Sequence, residues 1–373
     1  MKYTSYTYHC VRAEVSAFII EDGVTEYHIM LHVTNPMLSY YEQMEAVFKI
    51  YTSLLQNELH GASSIFKRFF LSDAANQTDL LLARMIEDSD CALSVVQQPP
   101  LDGTKIALWA HLLTNVKTNM LPNGLFEVKY GKYRQLWLGG CSNKAANSEY
   151  QMRLLLNDYV MQLMEENCTL EANCLRTWIF VQNVDCNYAG AVKARNEVFA
   201  TQNLTEKTHY IASTGIEGRH ADPKVLVMLD AYAIEGIKPD QIKYLYARTH
   251  LNPTYEYGVS FERGTAVDFE DRRQIIISGT ASINNHGEIV FPGDVVRQAE
   301  RMCENVEALL KEADSCFEEL QYIIVYLRDT ADYLIIKSFF EKSFPNIPTI
   351  ITLASVCRPG WLVEMECMAV KAL

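Results

Sequence analysis

IFVQNVDCNYAGAVKARNEVF, residues Ile179 to Phe199, stands over VYLRDTADYLIIKSFFEKSF, residues Val325 to Phe344, as two copies of one pattern. Each run opens β-rich, crosses a short polar turn and continues with apolar residues at helical spacing. The echo returns downstream, where VLVMLDAYAI (Val225 to Ile234) matches WLVEMECMAV (Trp361 to Val370). Self-similarity in a fixed order means tandem copies of one unit.

Around these runs, the third copy predicts a strand at Arg273 to Ser278 and a helix capped by Asp294 and running to Ala313. Then come a strand at Tyr322 to Leu327, a helix through Tyr333 and Phe340, and closing strands at Thr349 to Ala354 and Leu362 to Val370. The second copy predicts strand 135–139, helix 149–166, strand 177–181, helix 188–199 and strands 209–214 and 225–234. A degenerate first copy keeps the order: strand 27–33, helix 40–55, strand 69–71, helix 79–86 and strands 91–96 and 105–113. Asn, Pro and Gly near 114–124 and 236–253 mark the joints, so the modules are expected at 1–115, 120–236 and 250–373. The class is α+β.

Composition narrows the functions. A chain of 373 residues, 49% hydrophobic and 21% charged, suits a large soluble core. No apolar run approaches the roughly 18 to 20 residues of a membrane span, and Met1 to Glu14 lacks the apolar stretch of a secretory signal, so a cytoplasmic protein is expected. A formal net charge of −13 argues against nucleic acid or an anionic membrane as partner, which leaves any anion to a local basic pocket. Ten cysteines without a CxxC pair read as reduced core thiols. His28 and His32 have metal-like spacing but no third ligand nearby in sequence, so no metal is expected, and no nucleotide-binding glycine motif or GxSxG elbow appears.

Four blocks of the third copy, IIISGTASINNHGEIV (Ile275 to Val290), DVVRQAERMCENVEALLKEA (Asp294 to Ala313), VYLRDTADY (Val325 to Tyr333) and VEMECMAV (Val363 to Val370), resemble the YjgF/Rid family. Its small subunits have a chorismate-mutase-like fold and form trimers with clefts between subunits. The resemblance implies an intramolecular pseudo-trimer of three Rid/YjgF-like modules, which needs no cofactor and closes its own interfaces as a monomer. The family's imine deaminases place an Arg on the strand after the second helix; FPNIPTIITLAS (Phe344 to Ser355) puts Thr349 or Ile350 there. HLNPTYEYGVSFERGTAV (His250 to Val267) and VCRPGWLVEME (Val356 to Glu366) resemble the chorismatases, a fused branch that hydrolyses chorismate and releases pyruvate.

That chemistry asks for carboxylate clamps and one proton donor for an enol ether. Glu364 and Glu366, two apart on the last strand, share a face and are the candidate acids. Glu364 is the stronger, because the second copy has Met228 in its place and Asp230 in place of Glu366. Arg358, in a tight turn, with Arg248 and Arg263 are the candidate clamps, and Tyr255 and Tyr257 lie between the last two. Ser278, Gly279 and Ala281 lie where the first strand passes the cleft; Ala281 and Cys357 are candidates for steering the product. The expected ligand is a small anionic metabolite such as chorismate. The alternatives are a Rid-type enamine or imine deaminase and a non-catalytic metabolite sensor.

Overall fold

The computed structural model describes residues 1–21, 23–85 and 91–373. The first module contains β1 (Lys2–Tyr8), β2 (Val11–Phe18), β3 (Glu26–Val33), α1 (Tyr40–Asn57), β4 (Ala62–Leu71), α2 (Ala74–Met85), β5 (Ala92–Gln97) and β6 (Ile106–Thr114). The second contains β7 (Lys117–Met120), β8 (Phe126–Tyr130), β9 (Tyr133–Ser142), α3 (Ser148–Glu165), a single turn α4 (Leu170–Asn173), β10 (Cys174–Val181), α5 (Val184–Thr201), β11 (Ala212–Glu217) and β12 (Val227–Glu235). The third contains β13 (Ile242–Leu245), β14 (Gly264–Asp268), β15 (Arg272–Ala281), α6 (Val295–Glu312), β16 (Leu320–Leu327), α7 (Tyr333–Ser343), β17 (Thr349–Leu353) and β18 (Val363–Ala372).

Each module is one six-stranded mixed sheet with the same order: β1-β2-β3-β6-β4-β5, β7-β8-β9-β12-β10-β11 and β13-β14-β15-β18-β16-β17. The parallel pair in each, β4/β5, β10/β11 and β16/β17, is joined by a helix, as a parallel connection requires. The helices start where side chains satisfy their free N–H groups. Ser39 and Glu42 form a capping box on α1, and Asn147 and Asp294 accept from the first turns of α3 and α6.

Two helices begin earlier than the periodicity predicts, for a common reason. At α2 the side chain of Gln97 accepts the Ala74 N–H, and α5 follows Asn183 without any side-chain cap, so neither start carries a capping signature. The predicted helix end at Ile86 lies outside the described residues. Each sheet also opens on a hairpin whose edge strand the apolar pattern does not disclose. β7 is exposed along its whole length and β1 along much of it, because edge strands need no apolar alternation. The stretches read as joints therefore supply strands β7 and β13.

The three sheets turn one face inward. Phe66 packs on Trp137 at 5.4 Å, Trp109 on Tyr322 at 4.5 Å and Trp109 on Trp178 at 6.1 Å, so aromatic rings from all three modules meet about one axis. Inside that packing sits a fully buried charge cluster. Arg68 of β4 donates to Asp230 of β12 at 2.8 Å and lies 3.8 Å from Glu366 of β18, while Arg176 of β10 donates to Glu366 at 2.8 Å. Buried charges persist only when paired. Here each ion pair joins two different modules.

A second buried group, on the first module, involves His28. Glu26 lies 3.6 Å from His28 Nε2 and 3.3 Å from His111 Nε2, three residues gathered as ligands often are. One hydrogen bond fixes the tautomer of His28, while its Nε2 and both ring nitrogens of His111 have no hydrogen-bond partner. The Trp109 indole, a donor only, gives its proton to His28 Nδ1, so Nε2 carries the ring's own proton and points it at Glu26. Arg272, 3.5 Å away, supplies the charge partner. Burial and His111 push His28 down to about 4, which keeps it neutral.

Candidate functional site

The seam between the second and third modules holds a cavity of about 40 Å³. The third module contributes Tyr257, Arg263, Gly279, Ala281, Cys357, Arg358 and Glu364; the second contributes Tyr188 and Arg195 from α5 and Ser213 and Gly215 from β11. Seven residues singled out in the sequence thus meet in one cavity.

Glu364 is placed by register. It pairs with Ala281 on one side and Tyr326 on the other. The β15/β18 ladder slips between Ile277 and Thr280, a bulge that brings Gly279 against the carboxyl. A Cβ on residue 279 would stand 2.1 Å from Glu364 Oε1, so only glycine leaves room for the acid. Glu364 is 5% exposed. Burial pushes its pKa up to about 8; the charge of Glu366 pushes the same way, against Arg176 and Arg263. At neutral pH it is a carboxylic acid with a proton to give.

Three guanidinium groups border the same space. Arg263 donates to the backbone and side-chain oxygens of Asn252 at 3.0 and 3.1 Å, leaving its Nε without a partner. Arg358 lies over the rings of Tyr257 at 4.5 Å and Trp361 at 5.1 Å, which fixes its plane. Arg195 is 2% exposed, and its Nε and one terminal nitrogen have no hydrogen-bond partner. A buried guanidinium with free donors is costly unless an anion completes it. Cys357 does not supply one: burial and Glu364 raise its thiol to about 12, so it stays protonated.

The remaining candidates lie elsewhere. Glu366 shares the face of Glu364 but points into the axial cluster, where it accepts from Arg176 and from the Trp178 indole at 2.8 Å each; it does not line the cavity. Ser278 is a tie between modules, accepting from the Ser213 N–H at 2.9 Å and donating to the Glu262 carbonyl at 2.6 Å. Arg248 and Tyr255 border a neighbouring cavity instead. Thr349 and Ile350 face a third seam, between the third and first modules, where the Thr349 N–H donates to Glu14 at 3.0 Å. The strand opposite Glu364 is β11, and its ASTGIE carries no Arg either.

Tyr188 and Arg195 escaped notice in the sequence, although Arg195 left a trace. On α5 it falls on the buried face with Ala191, Ala194 and Val198, a position where charge is expensive. In the third copy the matching residue is Phe340.

Comparison with known proteins agrees with this architecture. The model of the family described as Endoribonuclease L-PSP matches residues 265–371. A RutC family protein of Pyrococcus abyssi is 31% identical over 99 residues, 26% of this chain and 78% of the relative. The 3-aminoacrylate deaminase RutC of Acinetobacter baylyi is 25% identical over 97 residues, 26% of this chain and 77% of that protein. Across 82% of this chain and 93% of the other, a chorismatase crystal structure superposes with a TM-score of 0.64 at 16% identity, which establishes a common fold. With three sheets of one topology and a carboxyl-terminal third that aligns with these relatives, the chain belongs to the RutC family, the YjgF/Rid superfamily.

Proposed function

We propose that the protein is a chorismatase-like hydrolase that cleaves the enolpyruvyl ether of chorismate at the seam of its second and third modules. One observation carries the reading: a buried, protonated Glu364 shares a cavity with three guanidinium groups and no ionised acid, the environment a dianionic enol ether needs. Arg195, Arg263 and Arg358 hold the two carboxylates. The Glu364 carboxyl donates its proton to the methylene carbon; the alkene π electrons form the new C–H bond, and the adjoining carbon becomes an oxocarbenium ion. Water adds there and passes a proton to the Glu364 carboxylate. The resulting hemiketal releases pyruvate as the ring oxygen leaves with a proton.

The fold shared with a chorismatase supports this reading, as does the string VCRPGWLVEME, which delivers Cys357, Arg358 and Glu364 to one cavity. A deaminase reading, prompted by the aminoacrylate deaminase relative, lacks the Arg that the family's deaminases carry: β5, β11 and β17 all read without one. Purified protein incubated with chorismate tests the proposal, with pyruvate followed by a coupled assay. Pyruvate release in step with chorismate loss is expected. Tight binding without pyruvate points to a sensor, and ammonia from 3-aminoacrylate without pyruvate from chorismate points to a deaminase.

A further inference from the structure

Arg248 and Tyr255 belong to a separate cavity of about 80 Å³ on the same seam, formed by the 205–210 loop of the second module and the 246–263 stretch of the third. Two acids, Glu206 and Glu262, and two guanidinium groups, Arg248 and Arg263, line it, and Glu262 and Arg248 do not meet. Glu262 is 6% exposed, its Oε1 accepts the Tyr210 backbone N–H at 2.8 Å, and it forms no ion pair among the described residues. Burial raises it to about 7, with the Tyr210 N–H, Arg248 and Arg263 opposing. Arg248 lies over the Tyr246 ring at 4.8 Å and likewise forms no ion pair among the described residues. Tyr210, Tyr246 and Tyr255 wall the space between.

Opposite charges that line one cavity yet remain unjoined fit a ligand carrying both charges in the complementary order, and tyrosine walls fit a flat apolar body. We propose that this cavity binds a free α-amino acid with an aromatic side chain, its ammonium on Glu262 and its carboxylate on Arg248. Occupancy also has a route to the inner site, because Phe261 and Arg263 line both cavities and Arg263 is held by Asn252, which borders the outer one. The assignment stands whether or not the inner cavity hydrolyses chorismate.

Isothermal titration of the full chain with L-tyrosine, tyramine and 3-(4-hydroxyphenyl)propionate tests it. The amino acid should bind, and each analogue, lacking one charge, should bind at least about tenfold more weakly, the scale of one charge-assisted hydrogen bond. Glu262→Gln and Arg248→Ala should each weaken L-tyrosine by a similar factor, and Arg358→Ala, in the inner cavity, should leave it unchanged. Arg248 is exposed, so its replacement keeps the test valid even if Glu262→Gln fails to fold. Equal affinity for all three compounds, no binding at millimolar L-tyrosine, or loss on Arg358→Ala with retention on Arg248→Ala would overturn the proposal.

Discussion

At Glu364, burial raises the pKa of the carboxyl at the expense of stability. The folded carboxyl keeps its proton up to about pH 8, whereas in the unfolded chain it ionises near the ordinary value of 4.5. Between those values the folded state binds more protons than the unfolded state, so stability falls as pH rises through this window. Glu364→Gln removes the titration while keeping the shape. Wild type and variant should unfold alike in denaturant at pH 4, below the unfolded pKa, and the variant should be more stable by about 3–5 kcal/mol at pH 8, at about 1.4 kcal/mol per pKa unit. Equal stability at both would mean that Glu364 ionises normally. Glu366 acts at one remove: Glu366→Gln takes away a like charge, so the pKa of Glu364 falls and the alkaline limb of the kcat/KM profile should move to lower pH. Because Arg176 and Trp178 lose a partner, the same change should cost stability, as removing one member of a buried pair does.

At the scale of elements, the bulge between β15 and β18 shapes the acid's surroundings. Gly279→Ala puts a methyl where the Glu364 carboxyl lies, so turnover should drop about 100-fold or more, as expected when a catalytic group is displaced. Near wild-type kcat in that variant would show that the carboxyl has other room. Elements whose apolar face is wide were legible in the sequence: α6 buries Ala299, Met302, Val306, Leu309 and Leu310 at the predicted spacing, and β18 emerges at Val363–Ala372 against a predicted 362–370. The opening hairpins were not, because β7 and β13 are short edge strands whose hydrogen bonds, rather than side-chain burial, define them. Glu364, Arg263 and Arg358 were legible from local strings. Arg195 was not, since it reaches the cavity from another module and only tertiary packing brings it there.

Across the whole molecule, three modules of one topology make three unequal seams. A cavity in the seam of modules one and two is lined, among the described residues, by Met85, Cys91, Leu93, Met120 and neighbours without a charged side chain, and a Cβ on Gly139 would stand 2.6 Å from the Leu93 carbonyl oxygen. The seam of modules three and one holds Arg12, His32 and Lys337, yet Glu14 already takes the Thr349 N–H, with Arg12 at 3.1 Å and His32 at 3.3 Å beside it. An internal carboxylate thus uses the groups a ligand carboxylate would need, and these partners hold Glu14 below its usual pKa despite burial. A crystal soaked with a non-hydrolysable chorismate analogue should show one occupied seam, that of Glu364; density in all three would remove the basis for asymmetry.

Pyruvate release from chorismate by wild type and by Glu364→Gln, measured side by side at pH 7 with binding followed separately, tests Glu364 as the proton donor. General acid catalysis contributes about 10² to 10⁴ in rate, so the variant should bind chorismate as wild type does and release pyruvate slower by that factor. A variant that turns over at the wild-type kcat would contradict the assignment of Glu364 as the proton donor.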